Sequence, residues 1–199
     1  MPHFVLALLL GFSIVSAACT QTITDTKTVI ERDTVVLTIR DTISIPKVIT
    51  DTLTTVIVVR HAEKADNSVD PLLSSDGEAR AQELTRILSD VEINSIYTTP
   101  LNRTRLTAKA VAESKGMSTK DYATTLSASQ LASRIQSENA GKVALVVGHS
   151  NTVPELLKAL SNNAFSIQIA ESQFDNLFIA TLHPDAPRVL HLKYGKPTP

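Results

Sequence analysis

Residues 143–147 (Val-Ala-Leu-Val-Val) and 55–59 (Thr-Val-Ile-Val-Val) are short, almost unbroken apolar runs, and each ends abruptly in a polar segment holding a histidine. A strand that is apolar on both sides belongs in a sheet covered on both faces, which favours parallel strands flanked by helices. The residues between and around these runs fit that frame. Leu84, Ile87, Leu88 and Val91 fall at i, i+3, i+4 and i+7, one apolar stripe with Glu83, Arg86 and Asp90 facing water. Ser74 and Ser75 offer caps before it, with Glu78 three residues past Ser75 as in a capping box. The next helix starts near Pro100, buries Leu106, Ala110 and Val111, and ends at Gly116; others contain Leu131 and Ile135, or span 153–160. Short strands are predicted at 93–98, 121–125, 177–182 and 189–192. Strands alternating with helices predict a three-layer α/β/α sandwich with a largely parallel central sheet.

Open α/β sheets build their sites where strands end at the carboxyl side. There the first run delivers Arg60-His61-Ala62-Glu63-Lys64 and the second Gly148-His149-Ser150-Asn151-Thr152, while Thr98-Thr99-Pro100-Leu101-Asn102-Arg103-Thr104-Arg105 opens a helix between them. Taken together with Leu73-Ser74…Gly77 entering a helix, these segments resemble the histidine phosphatase (phosphoglycerate mutase-like) superfamily, over roughly residues 55–160. The likeness is greatest to its small phosphohistidine-phosphatase-like members. Ala62 departs from the superfamily's usual Arg-His-Gly, which requires a backbone conformation there that tolerates a methyl.

The resemblance implies a pocket made by Arg60, His61, Arg103 and His149. Arginine can present a fork of N–H donors to phosphate oxygens, which suits Arg60 and Arg103. His61, neutral near pH 7, would attack phosphorus, with the guanidinium charge opposing its protonation, and His149 would donate to the phosphate. Arg105 competes with Arg103, but the Leu-x-Arg spacing from Leu101 matches the family at Arg103, leaving Arg105 at the surface. The proton donor is open: Glu63 is the nearest carboxylate in sequence, ahead of Asp121 and Glu155, and Ser150 stands where some relatives carry Asp. No metal-ligand spacing such as His-Glu-x-x-His occurs, so neither metal nor other cofactor is called for. His183 and His191 read as structural.

The amino-terminal part is organised differently. Residues 4–15 are apolar but shorter than the ~20 needed to span a bilayer, and Ser16-Ala17-Ala18-Cys19 follows, so residues 1–18, His3 included, read as a signal peptide. Cys19, the only cysteine, resembles the lipidated residue of a bacterial lipobox; ordinary cleavage after Ala18, releasing a soluble periplasmic or secreted protein, is the alternative. Residues 19–54 are rich in threonine and read as an extended tether, with an edge hairpin on the domain as the competing reading. The domain proper is 55–199.

With a net charge of −1, scattered Lys and Arg and 4% aromatic residues, the chain has no footprint for nucleic acid. The expected activity is that of a metal-independent phosphatase working through a phosphohistidine intermediate in the bacterial cell envelope. It would act on a phosphorylated small molecule or phosphoprotein, and touch the membrane through a lipid anchor only. A non-enzymatic phosphate- or phosphoprotein-binding lipoprotein is the runner-up. A mutase is disfavoured by export and the short chain. The sequence sets no oligomeric state.

Overall fold

The computed structural model describes residues 20–30, 36–46, 53–183 and 186–199. The signal segment 1–18 and Cys19 lie outside the described residues. The chain divides into two compact units, 1–51 and 52–199. In the first, β1 (Thr20–Ile30) and β2 (Val36–Pro46) pair antiparallel, from Thr20 opposite Pro46 to Ile30 opposite Val36, as a two-stranded sheet of their own. Threonine and β-branched aliphatics favour the strand conformation of both segments.

The second unit runs β3 (Thr54–Arg60), α1 (Ser75–Ile87), β4 (Ser95–Thr98), α2 (Asn102–Ser114), β5 (Thr119–Asp121), α3 (Ala128–Glu138), β6 (Val143–Gly148), α4 (Thr152–Leu160), β7 (Asn176–Leu182) and β8 (Arg188–Lys193). The sheet order is β5-β4-β6-β3-β7-β8, parallel from β5 to β3 and antiparallel at β7 and β8. The antiparallel pairing of β8 with β7 follows from the short connection between them, which has no room for a crossover helix.

The unbroken apolar character of β3 and β6 has a simple cause. Val56, Val58 and Val146 pack with Leu131, Ile135 and Leu157 of α3 and α4, while Ile57, Val59, Leu145 and Val147 pack with Leu84 and Val111 of α1 and α2. Both strands are covered twice, as a three-layer sandwich requires.

Three local expectations change. The cap of α1 is Ser74, whose Oγ accepts from Gly77 N at 3.2 Å, so Glu78 closes no capping box. The buried side of α2 is Thr104, Thr107, Ala108, Val111 and Ala112 rather than Leu106 and Ala110. Two threonines are buried there because their hydroxyls donate within the helix and its approach, Thr104 to Leu101 O and Thr107 to Arg103 O. The fifth strand covers Thr119–Asp121 rather than 121–125. A capping box unread in the sequence starts α3, with Ser127 and Gln130 capping reciprocally.

Candidate active site

Strand register places the site. Arg60 on β3 lies opposite Gly148 on β6, and His61 N donates to Gly148 O at 2.9 Å, so the two histidines leave adjacent strands side by side. Their rings stand edge to face with centroids 5.3 Å apart. On the other flank of β6, β4 ends at Thr98 with Thr99 just past it, and α2 then brings Arg103 in its first turn. A cavity of about 400 Å³ is lined by His61, Arg103, His149, Ser150, Asn151 and Glu171, among others.

The turn after β3 is fixed from below. Ala62 is fully buried, its N–H donates to Thr107 Oγ1 at 2.9 Å, and its methyl packs with Leu73 and Ala81. It keeps a negative φ, so the methyl is tolerated. Helix α1 presses on the same turn: a Cβ on Gly77 would come 2.3 Å from the carbonyl oxygen of Glu63. That approach requires glycine.

His61 is 4% exposed, and its Nδ1 lies 2.8 Å from Ala62 O. A carbonyl only accepts, so Nδ1 carries the hydrogen and Nε2 keeps its lone pair. Burial pushes the imidazole down to about 3, with Arg60, His149 and Arg103 adding to the depression against the opposing Ala62 hydrogen bond. Desolvation, more than guanidinium charge, keeps this ring neutral. The same causes lower His149 to about 4: burial first, then Arg103 and Arg60. His149 Nε2 is 3.1 Å from Thr99 Oγ1, a hydroxyl that can donate or accept and so supports either tautomer.

Arg103 fits its expected place. It wall-lines the cavity with only distant partners, Asp70 Oδ1 at 3.8 Å and Val69 O at 3.4 Å, so most of its donors are open to an anion. Arg105 instead pairs with Asp121 at the surface, and Asp121 also accepts from Thr98, which removes that carboxylate from the search for a proton donor. Glu155 is exposed and lines a second cavity of about 250 Å³, which shares His149 and Asn151 with the first and is walled by Leu126, Leu131 and Leu156.

Two site residues are placed otherwise than the sequence suggested. Arg60, 1% exposed, does not line the cavity with a free fork. Its Nη1 donates to the carbonyls of Ala170, Glu171 and Gln173 at 2.8, 2.9 and 3.0 Å, its Nη2 donates to Glu171 Oε2 at 2.6 Å, and the guanidinium lies 4.2 Å over the Phe174 ring. Only Nε is left without a partner. Arg60 thus organises the 170–174 loop before any phosphate arrives. Glu63 is drawn away from the cavity by Arg80, whose Nε and Nη2 reach its carboxylate at 2.7–3.0 Å. A buried guanidinium captured it.

Sequence reasoning missed Glu171, Thr99 and Phe174. The available signal was length: residues 161–175, between α4 and β7, carry no helix or strand, and such long loops in compact domains are commonly functional. Among the described residues no group of three or more His, Cys, Asp or Glu is arranged to hold a metal ion.

Residues 56–126 match the family model described as histidine phosphatase superfamily (branch 1). Over 68 residues the chain is 43% identical to phosphoserine phosphatase 1 of Hydrogenobacter thermophilus, covering 31% of this chain and 32% of that one. The chain thus matches about a third of that curated relative's length. Among solved structures, the protein histidine phosphatase SixA complexed with tungstate superposes with a TM-score of 0.56 at 18% identity, over 70% of this chain and 96% of that one. Bacillus stearothermophilus YhfR does so with 0.55 at 16% identity, over 68% and 95%. These two likenesses bear on the fold.

Proposed function

We propose that this chain, which belongs to the histidine phosphatase superfamily, is a metal-independent phosphatase that forms a phosphohistidine on His61. The observation that carries the reading is a buried imidazole whose Nδ1–H is committed to Ala62 O, in the wall of a cavity shared with His149 and Arg103. A neutral ring with a free Nε2 is a nucleophile at ordinary pH. Nε2 attacks phosphorus, the bond from phosphorus to the leaving oxygen breaks, and water then cleaves the N–P bond to return phosphate and neutral His61. Arg103 and His149 bear the charge on the phosphoryl oxygens, a task a metal performs elsewhere.

The substrate class is a phosphate monoester or a phosphoryl group on nitrogen, carried by a small molecule or a protein. Relatives named as phosphoserine and protein histidine phosphatases support both choices. The open cavity, with Ser68, Val69 and Pro71 along one wall, suits a protein-borne group. Residues 1–18 followed by Cys19 support export to the cell envelope as a lipoprotein.

The test is to incubate the protein with an aryl phosphate in excess chelator and record its intact mass at mildly alkaline pH, where phosphohistidine survives. Turnover together with a transient gain of one phosphoryl group, both lost in His61→Ala, is the expected result. Turnover that vanishes with chelator and returns with a divalent cation would overturn the reading.

A further inference from the structure

From the contacts around the 170–174 loop we infer that Glu171 is the proton donor to the leaving group in this reaction, held at the cavity by Arg60 and Ser150. The inference rests on the phosphohistidine reading and adds the acid which that reading lacks. Among the carboxylates weighed in the sequence, Glu63 is bound to Arg80, Asp121 to Arg105 and Thr98, and Glu155 opens into the other cavity. Glu171 is the one carboxylate that lines the cavity with His61, Arg103 and His149 among the described residues.

Its placement is built from both ends. The backbone of residues 170–173 is fixed by the three carbonyls that Arg60 Nη1 binds, and Ala170 N donates to Gln173 Oε1 at 3.1 Å across the same loop. The side chain is aimed by two contacts, Nη2 of Arg60 on Oε2 and the Ser150 hydroxyl on Oε1. Ser150 follows His149 directly, so the donor comes from a distant loop and is oriented by the segment that carries the second histidine. Yet the side chain is 80% exposed and can reach both bulk water and a bound ester.

The proton balance is complete. In the free enzyme the Ser150 hydrogen bond and Arg60 hold the carboxyl below its usual range, so it is a carboxylate. A phosphoryl dianion held by Arg103 and His149 brings negative charge beside it, and Glu171 takes a proton from solvent on binding. His61 Nε2 forms its bond to phosphorus, the ester bond breaks, and the Glu171 proton goes to the leaving oxygen as the alcohol departs. In the second step water attacks the phosphohistidine and gives one proton to the Glu171 carboxylate, releasing phosphate and neutral His61. That proton returns to solvent with the product.

The experiment compares Glu171→Gln with wild type on a p-nitrophenyl phosphate and on an alkyl phosphate, with phosphohistidine formation recorded in parallel. A poor leaving group depends on protonation and a good one does not, so turnover of the alkyl ester should fall by on the order of 100-fold while the aryl ester falls by less than about fivefold. Glu171→Gln should still give phosphohistidine from the aryl ester. Ser150→Ala, which frees the carboxylate without removing it, should show a weaker bias in the same direction. Equal slowing of both esters, or none on the alkyl ester, overturns the assignment while leaving the His61 intermediate standing. Wild-type protein that forms no phosphohistidine overturns the underlying reading and this one with it.

Discussion

Glu63 and Arg80 form a forked ion pair directly beneath the site: Nε lies 2.9–3.0 Å from both carboxylate oxygens and Nη2 lies 2.7 Å from Oε1. Arg80 also donates to Tyr194 O and Lys196 O at 2.7 Å, so one guanidinium joins the turn after β3 to the carboxyl-terminal segment. Glu63→Gln leaves a guanidinium that is 1% exposed without its counter-charge. Breaking a buried pair costs about 3–5 kcal/mol, and the partial exposure of Glu63 puts the expected loss near the lower end. Urea unfolding should show that loss. The leaving-group preference of the folded variant should match wild type; a selective loss on alkyl esters would reinstate Glu63 as the acid.

Stability should fall in mild acid. The folded protein keeps His61 neutral to about pH 3 and His149 to about pH 4, both below the ordinary 6.5, so between these limits the unfolded chain binds more protons. The contribution of the neutral rings is fully present above about pH 6.5 and is lost as pH falls toward 3. Each unit of depression corresponds to about 1.4 kcal/mol, so a loss on the order of a few kcal/mol is expected between pH 7 and pH 4. Urea midpoints across that range measure it. His61→Gln should flatten the curve, and an unchanged slope would contradict the burial argument.

Arg103→Ala should lower kcat/KM by about 10- to 100-fold, the equivalent of one or two charge-assisted hydrogen bonds to phosphate, and weaken inhibition by inorganic phosphate in parallel. Arg103→Lys, keeping charge but losing the fork, should fall between. Arg105→Ala, which breaks only a surface pair with Asp121, should stay close to wild type. If the two alanine variants exchange these behaviours, the phosphate ligand is Arg105.

Cys19→Ala should release the protein from membranes or leave its leader uncleaved, with activity unchanged, because every residue placed at the cavity lies beyond Thr54. Fractionation of expressing cells, followed by detergent extraction of the membrane pellet, reads this out. Wild-type protein wholly in the soluble periplasmic fraction would contradict the anchor.

The sequence alone determined the sandwich, because two unbroken apolar runs fit doubly covered strands and the stripes between them fit covering helices. For His61, His149 and Arg103 its spacing allowed convergence and the family resemblance implied it, while the neighbouring register of β3 and β6 is what sets the two histidines side by side. The sequence also pointed to α1 through the Leu84 and Leu88 stripe. What it did not settle depends on partners far apart in the chain. Whether Glu63 faces phosphate or a structural guanidinium was decided by Arg80, 17 residues on, and the employment of Arg60 by a loop some 110 residues away. A carboxylate or guanidinium goes where its charge is best neutralised after desolvation, and only tertiary packing fixes which countercharge and which carbonyls share its low-dielectric surroundings. Beyond the length of its loop, Glu171 therefore had no signature in sequence: its place at the cavity exists only once Arg60 and Ser150 have been folded against it.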